Sequence, residues 1–122
     1  MDVRVESRPN YVFATLAGGH SLEEVLKAFQ ATYDAAFGRG LWLILVDCSG
    51  LEGELTTVER FELGERGATY WASKSWNISP KIAVVGRVPV VDGFAALVAS
   101  NRGLEAQTFS ELQQARDWLG VR

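Results

Sequence analysis

Between Gly40 and Asp47 the chain reads Leu-Trp-Leu-Ile-Leu-Val, six apolar residues without a polar interruption. An amphipathic helix, or a strand with one wet face, would place polar residues at regular intervals, and this run has none. It also falls far short of the roughly 20 residues that cross a bilayer. The reading left is a strand over residues 41–46 buried on both faces, which requires a sheet covered by helices.

The flanking segments supply those helices. Ser21-Leu22-Glu23-Glu24 has the form of a capping box, in which the Ser oxygen accepts from a backbone N–H three residues on. After it, Leu22, Val25, Leu26, Phe29, Tyr33, Ala36 and Phe37 recur at three- and four-residue spacing. Glu23, Glu24, Lys27, Gln30 and Asp34 fill the opposite face, so the spacing predicts an amphipathic helix that Gly38 and Gly40 stop. Thr56-Thr57-Val58-Glu59 is a second box and opens a helix over residues 57–73, with Val58, Phe61, Ala68, Trp71 and Ala72 on its inner side. Gly64 and Gly67 each cost about 1 kcal/mol relative to Ala there, so this helix either packs closely against something or is kinked or mobile. Asp92 is placed to cap a third helix to about Asn101, with Phe94, Leu97 and Val98 inward and Gly103 as its stop. Ser110-Glu111-Leu112-Gln113 opens a fourth with a third capping box, burying Leu112, Ala115, Trp118 and Leu119.

Residues 4–6 and 11–17 read as a hairpin through Arg8-Pro9-Asn10, and 81–85 and 104–109 as further short strands. The order is β, β, α, β, α, β, α, β, α. That alternation predicts an α/β fold: a mostly parallel, mixed sheet of about five strands, with an N-terminal hairpin at one edge and about four helices over it. A chain of 122 residues, 48% of them hydrophobic, is enough for a single domain spanning 1–122.

A formal net charge of -3 provides no basic field, so nucleic acid and acidic membranes are poor partners. With no signal-peptide plan at the N-terminus and no membrane-length run, a cytoplasmic location is expected. One cysteine, Cys48, and one histidine, His20, cannot form a disulfide or a Cys/His metal cluster, and no cofactor motif is present.

Asp47, Cys48 and Ser49 leave the C-terminal end of the buried strand, where open α/β sheets tend to hold ligands. His20, Ser49 and Asp47 have the residue types of a nucleophilic triad, yet no Gly-x-Ser-x-Gly elbow accompanies them, so no catalysis is expected. Asp47 is instead expected to accept from turn amides, and Cys48 to pack as a small apolar residue. Gly18-Gly19 precedes a helix N-terminus, but Glu23 and Glu24 would repel a phosphate there. Tyr70, Trp71 and Trp76 form a bulky group that either closes a core or offers a greasy surface.

Four stretches together resemble the STAS superfamily, the anti-anti-sigma factor fold, and within it the SpoIIAA-like branch of small stand-alone bacterial proteins. They are "YVFATLAGGHSLEEV", "LWLILVDCSGLEG", "KIAVVG" and "LEAQTFSELQQARDWL". The resemblance covers nearly the whole chain and is one of element order and apolar positions, without a catalytic signature. In its regulatory members, the loop after the central strand carries an Asp-Ser-Ser-Gly-like element whose Ser a partner kinase phosphorylates. Laid on this chain from Asp47, that element falls on Glu52, Gly53 and Glu54, so the acceptor serine is missing; Ser49, Thr56 and Thr57 are the nearby hydroxyls.

The resemblance implies a non-enzymatic binding or regulatory protein acting on another protein, or on its own copy, through residues 47–57 and the helix after them. The alternative is a carrier or sensor of a small apolar or lipid-like ligand held beneath that helix, with Trp71 and Trp76 on its wall. The candidate surface residues are Asp47, Ser49, Glu52, Glu54, Thr56, Thr57, Trp71 and Trp76.

Overall fold

A computed structural model describes residues 1–74 and 77–122; Trp76 lies outside the described residues. Along the chain the elements are β1 (Asp2–Ser7), β2 (Val12–Gly19), α1 (Leu22–Gly38), β3 (Leu43–Glu52), α2 (Thr57–Ala72), β4 (Lys81–Val85), α3 (Phe94–Ser100), β5 (Glu105–Phe109) and α4 (Leu112–Leu119). Two of the three capping boxes form. Ser21 Oγ accepts from Glu24 N–H at 3.3 Å while Glu24 Oε1 accepts from Ser21 N–H at 3.2 Å. Thr56 Oγ1 and Glu59 reproduce the pattern at 3.1 and 2.9 Å. The third does not form: Glu111 itself stands at the N-cap of α4 without a side-chain cap bond, and its carboxylate is paired with Arg87.

The sheet has strand order β1-β2-β3-β4-β5. β1 runs antiparallel to β2 at the edge, and the other three pairings are parallel, with Val12 opposite Ile44, Ile44 opposite Ile82, and Ile82 opposite Ala106. When successive crossovers of one hand join neighbouring strands in one direction, their helices fall on the same face. Accordingly α1, α2 and α3 pack over one face, with Val25, Phe29, Tyr33, Ala68, Trp71 and Ala99 against Val12, Ile44, Val46 and Ile82. α4 alone covers the other, bringing Ala115 and Leu119 onto Leu45, Ala83 and Val85. β3 is therefore buried on both sides through its apolar run, as its sequence requires. Trp42, by contrast, is exposed, and the strand begins one residue later.

β3 also extends six residues past Val46, through the stretch expected to be a loop. Its register with β2 steps from Thr15 opposite Asp47 to Ala17 opposite Gly50, so β3 carries one extra residue there. This is a β-bulge, and it accommodates the turn-forming residues Asp47, Ser49 and Gly50 inside the strand. Beyond it the facing pattern shifts by one, so that Cys48 and Leu51, three apart, both enter the core beneath α1 and α2.

α2 is rotated relative to its apolar pattern. Its buried residues are Arg60, Gly64, Gly67, Ala68 and Trp71, whereas Val58 and Phe61, expected inside, are exposed. Gly64 explains the rotation: a Cβ built there would lie 2.4 Å from the Ala95 carbonyl oxygen and 2.8 Å from Val98 Cβ. α2 and α3 thus meet backbone to backbone, and this contact turns Leu97 of α3, also expected inside, toward solvent.

Candidate functional site

The chain's chemistry-bearing residues gather at the C-terminal ends of β3 and β4. Within the bulge, Asp47 Oδ1 accepts from Ser49 N–H at 3.0 Å and from Ser49 Oγ at 2.6 Å. Their side chains line an open bowl of about 550 Å³ on the α4 side, which Arg87, Val88, Ser110 and Glu111 complete. Arg87 is already paired with Glu111. The Asp47 carboxylate and the Ser49 hydroxyl are likewise bonded to one another, and no histidine stands with them in the bowl to act as a base.

Glu52, Gly53 and Glu54 then lead to α2, and Glu52, Glu54, Thr56 and Thr57 are all exposed. This connection is held from beneath by Arg60, a buried residue that the apolar pattern did not single out. Arg60 Nε donates to Leu55 O at 3.0 Å, and Nη2 donates to Pro89 O at 2.7 Å and to Glu54 Oε2 at 3.4 Å. Nη1 is paired with Asp92. One planar guanidinium thus ties the β3–α2 connection to the β4–α3 connection, a geometry a point-charge ammonium cannot reproduce. Asp92 in turn accepts from Phe94 N–H at 3.0 Å at the start of α3.

That backbone bond, followed by Arg60, holds the Asp92 carboxyl below its usual value of 3.8. Asp34 is also lowered: burial opposes this, but hydrogen bonds from Lys74 and Tyr70 outweigh it. Glu23 is lowered from 4.5, chiefly by its hydrogen bond from Arg66. A carboxyl with a depressed folded-state pKa adds stability above its unfolded value and loses it as pH falls through the folded one. We therefore expect urea midpoints to be flat near neutrality and to decline below about pH 4.5, with Asp92→Asn and Asp34→Asn each making the decline shallower. A midpoint that rises on acidification would contradict these assignments.

Cys48 is buried on the face that α1, α2 and α3 cover, and burial, with the nearby Asp47 charge second, pushes its thiol up to about 12. The thiolate is the reactive form, so the native protein should alkylate with iodoacetamide far more slowly than the urea-unfolded chain at pH 8. Equal rates would place Cys48 at the surface instead.

The structure brings Asp47, Ser49, Glu52, Glu54, Thr56 and Thr57 to one end of the sheet. Trp71 sits elsewhere: fourteen residues along α2 from Thr57, roughly 21 Å at the helical rise. It is buried, its ring edge-on to Tyr33 with centroids 5.5 Å apart and its Nε1 donating to Ile78 O at 3.1 Å. Nearer the rim, reasoning from apolar periodicity missed the exposed trio Val58, Phe61 and Leu97. Arg102, at the end of α3, lies over the Phe61 ring at 5.1 Å and pairs with Glu65 at 3.4 Å, linking the outer faces of α2 and α3.

No family model and no curated protein matches the sequence. Among the solved structures similar to it, two match across nearly all of its length. One is an anti-sigma factor antagonist from Mycobacterium paratuberculosis: TM-score 0.61, 16% identity, 98% of this chain and 93% of that one. The other is the anti-sigma factor antagonist SpoIIAA in its unphosphorylated form: TM-score 0.54, 12% identity, 98% of each chain. The chain has the SpoIIAA/STAS fold, as its four matching stretches implied.

Proposed function

We propose that this chain is a non-enzymatic regulatory protein that acts by binding another protein, and that its partner is an anti-sigma factor, the class the two structural neighbours are named for antagonising. The binding surface is the acidic β3–α2 connection, Glu52 to Thr57, together with the outer faces of α2 and α3. One observation carries this reading: Val58, Phe61 and Leu97 stand exposed on two helices locked together at Gly64. Exposed apolar residues on a surface that also carries charged ones are a common mark of protein interfaces, and helices packed as closely as α2 and α3 present them at a reduced cost of ordering. Glu52 and Glu54 favour a partner with basic residues around an apolar centre. Thr56 Oγ1 is engaged as the α2 cap and Ser49 Oγ donates to Asp47.

The test is a binding titration of the purified chain against the anti-sigma factors of its own source organism. Val58→Asp and Leu97→Asp should each weaken the complex by at least about tenfold, as expected for apolar groups near an interface centre, without lowering the urea midpoint. The reading fails if none of those factors binds, or if both variants bind as the parent does.

A further inference from the structure

Beneath α2 and α3, on the face of the sheet they cover, lies a cavity of about 100 Å³ that the protein-binding surface does not use. Its walls are almost wholly apolar, among them Phe29, Cys48, Leu63, Val84, Ala96 and Ala106. Val84 and Ala106 belong to β4 and β5 on the face that α1, α2 and α3 cover, yet they are only half-buried. The cause is a roof without bulk: α2 places Gly64 and Gly67 over the space, and α3 is seven residues long and faces it with alanines. At one side stands His20, whose Nδ1 is buried without a hydrogen-bond partner among the described residues.

We propose that this cavity is a binding site for a small, neutral, apolar organic molecule with one hydrogen-bonding group, about the size of a single ring. Three observations define the ligand. A closed cavity of about 150 Å³ with apolar walls holds benzene; this space of about 100 Å³ is smaller but open at one side, so one small ring, part of it in the opening, is the most it admits. An unpartnered buried polar atom costs free energy until something bonds to it, and among the described residues of the wall His20 Nδ1 is the buried polar side-chain atom left without a partner. Arg60, the cationic group in the wall, is engaged with Leu55, Pro89, Glu54 and Asp92, so it leaves little attraction for a carboxylate or phosphate. Trp71 is not among the wall residues; the roof over the space is made by the small residues Gly64, Gly67, Ala95, Ala96 and Ala99. The inference is independent of any protein partner.

Phenol is the probe, with toluene as the ring lacking the hydroxyl, titrated into the full chain and followed by methyl and amide NMR shifts. Phenol should shift Leu63, Val84 and Ala96 saturably and bind about tenfold tighter than toluene, the worth of one hydrogen bond. His20→Leu should abolish that preference while keeping both ligands bound. Ala96→Leu, which fills the space, should abolish both; Ala106→Val, on the sheet wall, is the second filling variant if the first fails to fold. Absence of saturable shifts at these residues, shifts that persist in the folded filling variant, or a phenol-soaked crystal showing only water at His20 would each overturn the proposal.

Discussion

Arg60→Ala is expected to lower the unfolding free energy by about 3 kcal/mol, the largest single-residue effect outside the apolar core. Its guanidinium serves two chain connections at once: Leu55 O and Glu54 on one side, Pro89 O and Asp92 on the other. Removing it strands two carbonyl oxygens beneath the loops and deprives Asp92 of its counter-charge. Asp92 and Glu54 are each more than a third exposed and can rehydrate, which holds the expected loss at the low end of the range for broken buried pairs. With a urea slope of about 2 kcal/mol per molar, the midpoint should fall by roughly 1.5 M. Arg60→Lys should recover only a minor part, because an ammonium cannot bond both connections in one plane. A change below about 0.5 kcal/mol for Arg60→Ala, the size of an ordinary surface substitution, would mean the clamp holds nothing.

The second large effect separates two glycines three residues apart in one helix. A methyl at Gly64 would meet the Ala95 carbonyl oxygen at 2.4 Å and Val98 Cβ at 2.8 Å. Backbone cannot yield as a side-chain tip does, so Gly64→Ala must force α3 away from α2, at a cost of about 2 kcal/mol. A methyl at Gly67 meets only the Tyr33 hydroxyl, at an ordinary 3.5 Å. Gly67→Ala should therefore raise stability by about 0.5–1 kcal/mol through helix propensity. The two variants share one chemistry and differ only in what faces them. If both stabilise the protein, the close approach of α2 to α3 is absent.

The same close approach shows why the fold was legible in the sequence while the surface was not. Apolar periodicity identified α1 because its buried face is made of large apolar residues, Val25, Leu26, Phe29 and Tyr33 among them. The uninterrupted run ending at Val46 identified β3 because both sheet faces are covered. In α2 the buried stripe is Arg60, Gly64, Gly67, Ala68 and Trp71, where three of the five members have no hydrophobic side chain. Pattern reading therefore assigned the inside to Val58 and Phe61, the strongest apolar residues available. A signal existed: Gly64, Gly67, Ala68 and Trp71 already keep helical spacing, and stepping back one turn reaches Arg60. The bulge escaped notice for a different reason, since it is defined by the register with β2 and not by β3 alone. The third capping box failed because a tertiary ion pair with Arg87 claimed Glu111.

The proposed contact surface can be tested directly by hydrogen–deuterium exchange of the chain, alone and with an anti-sigma factor in excess. Slowed exchange should be confined to residues 52–62 and to α3 and its end, residues 94–102, with β1 and α4 unchanged. Protection that maps to β1 or α4, leaving residues 52–62 as in the free chain, would contradict the assignment of the α2–α3 outer face as the contact surface.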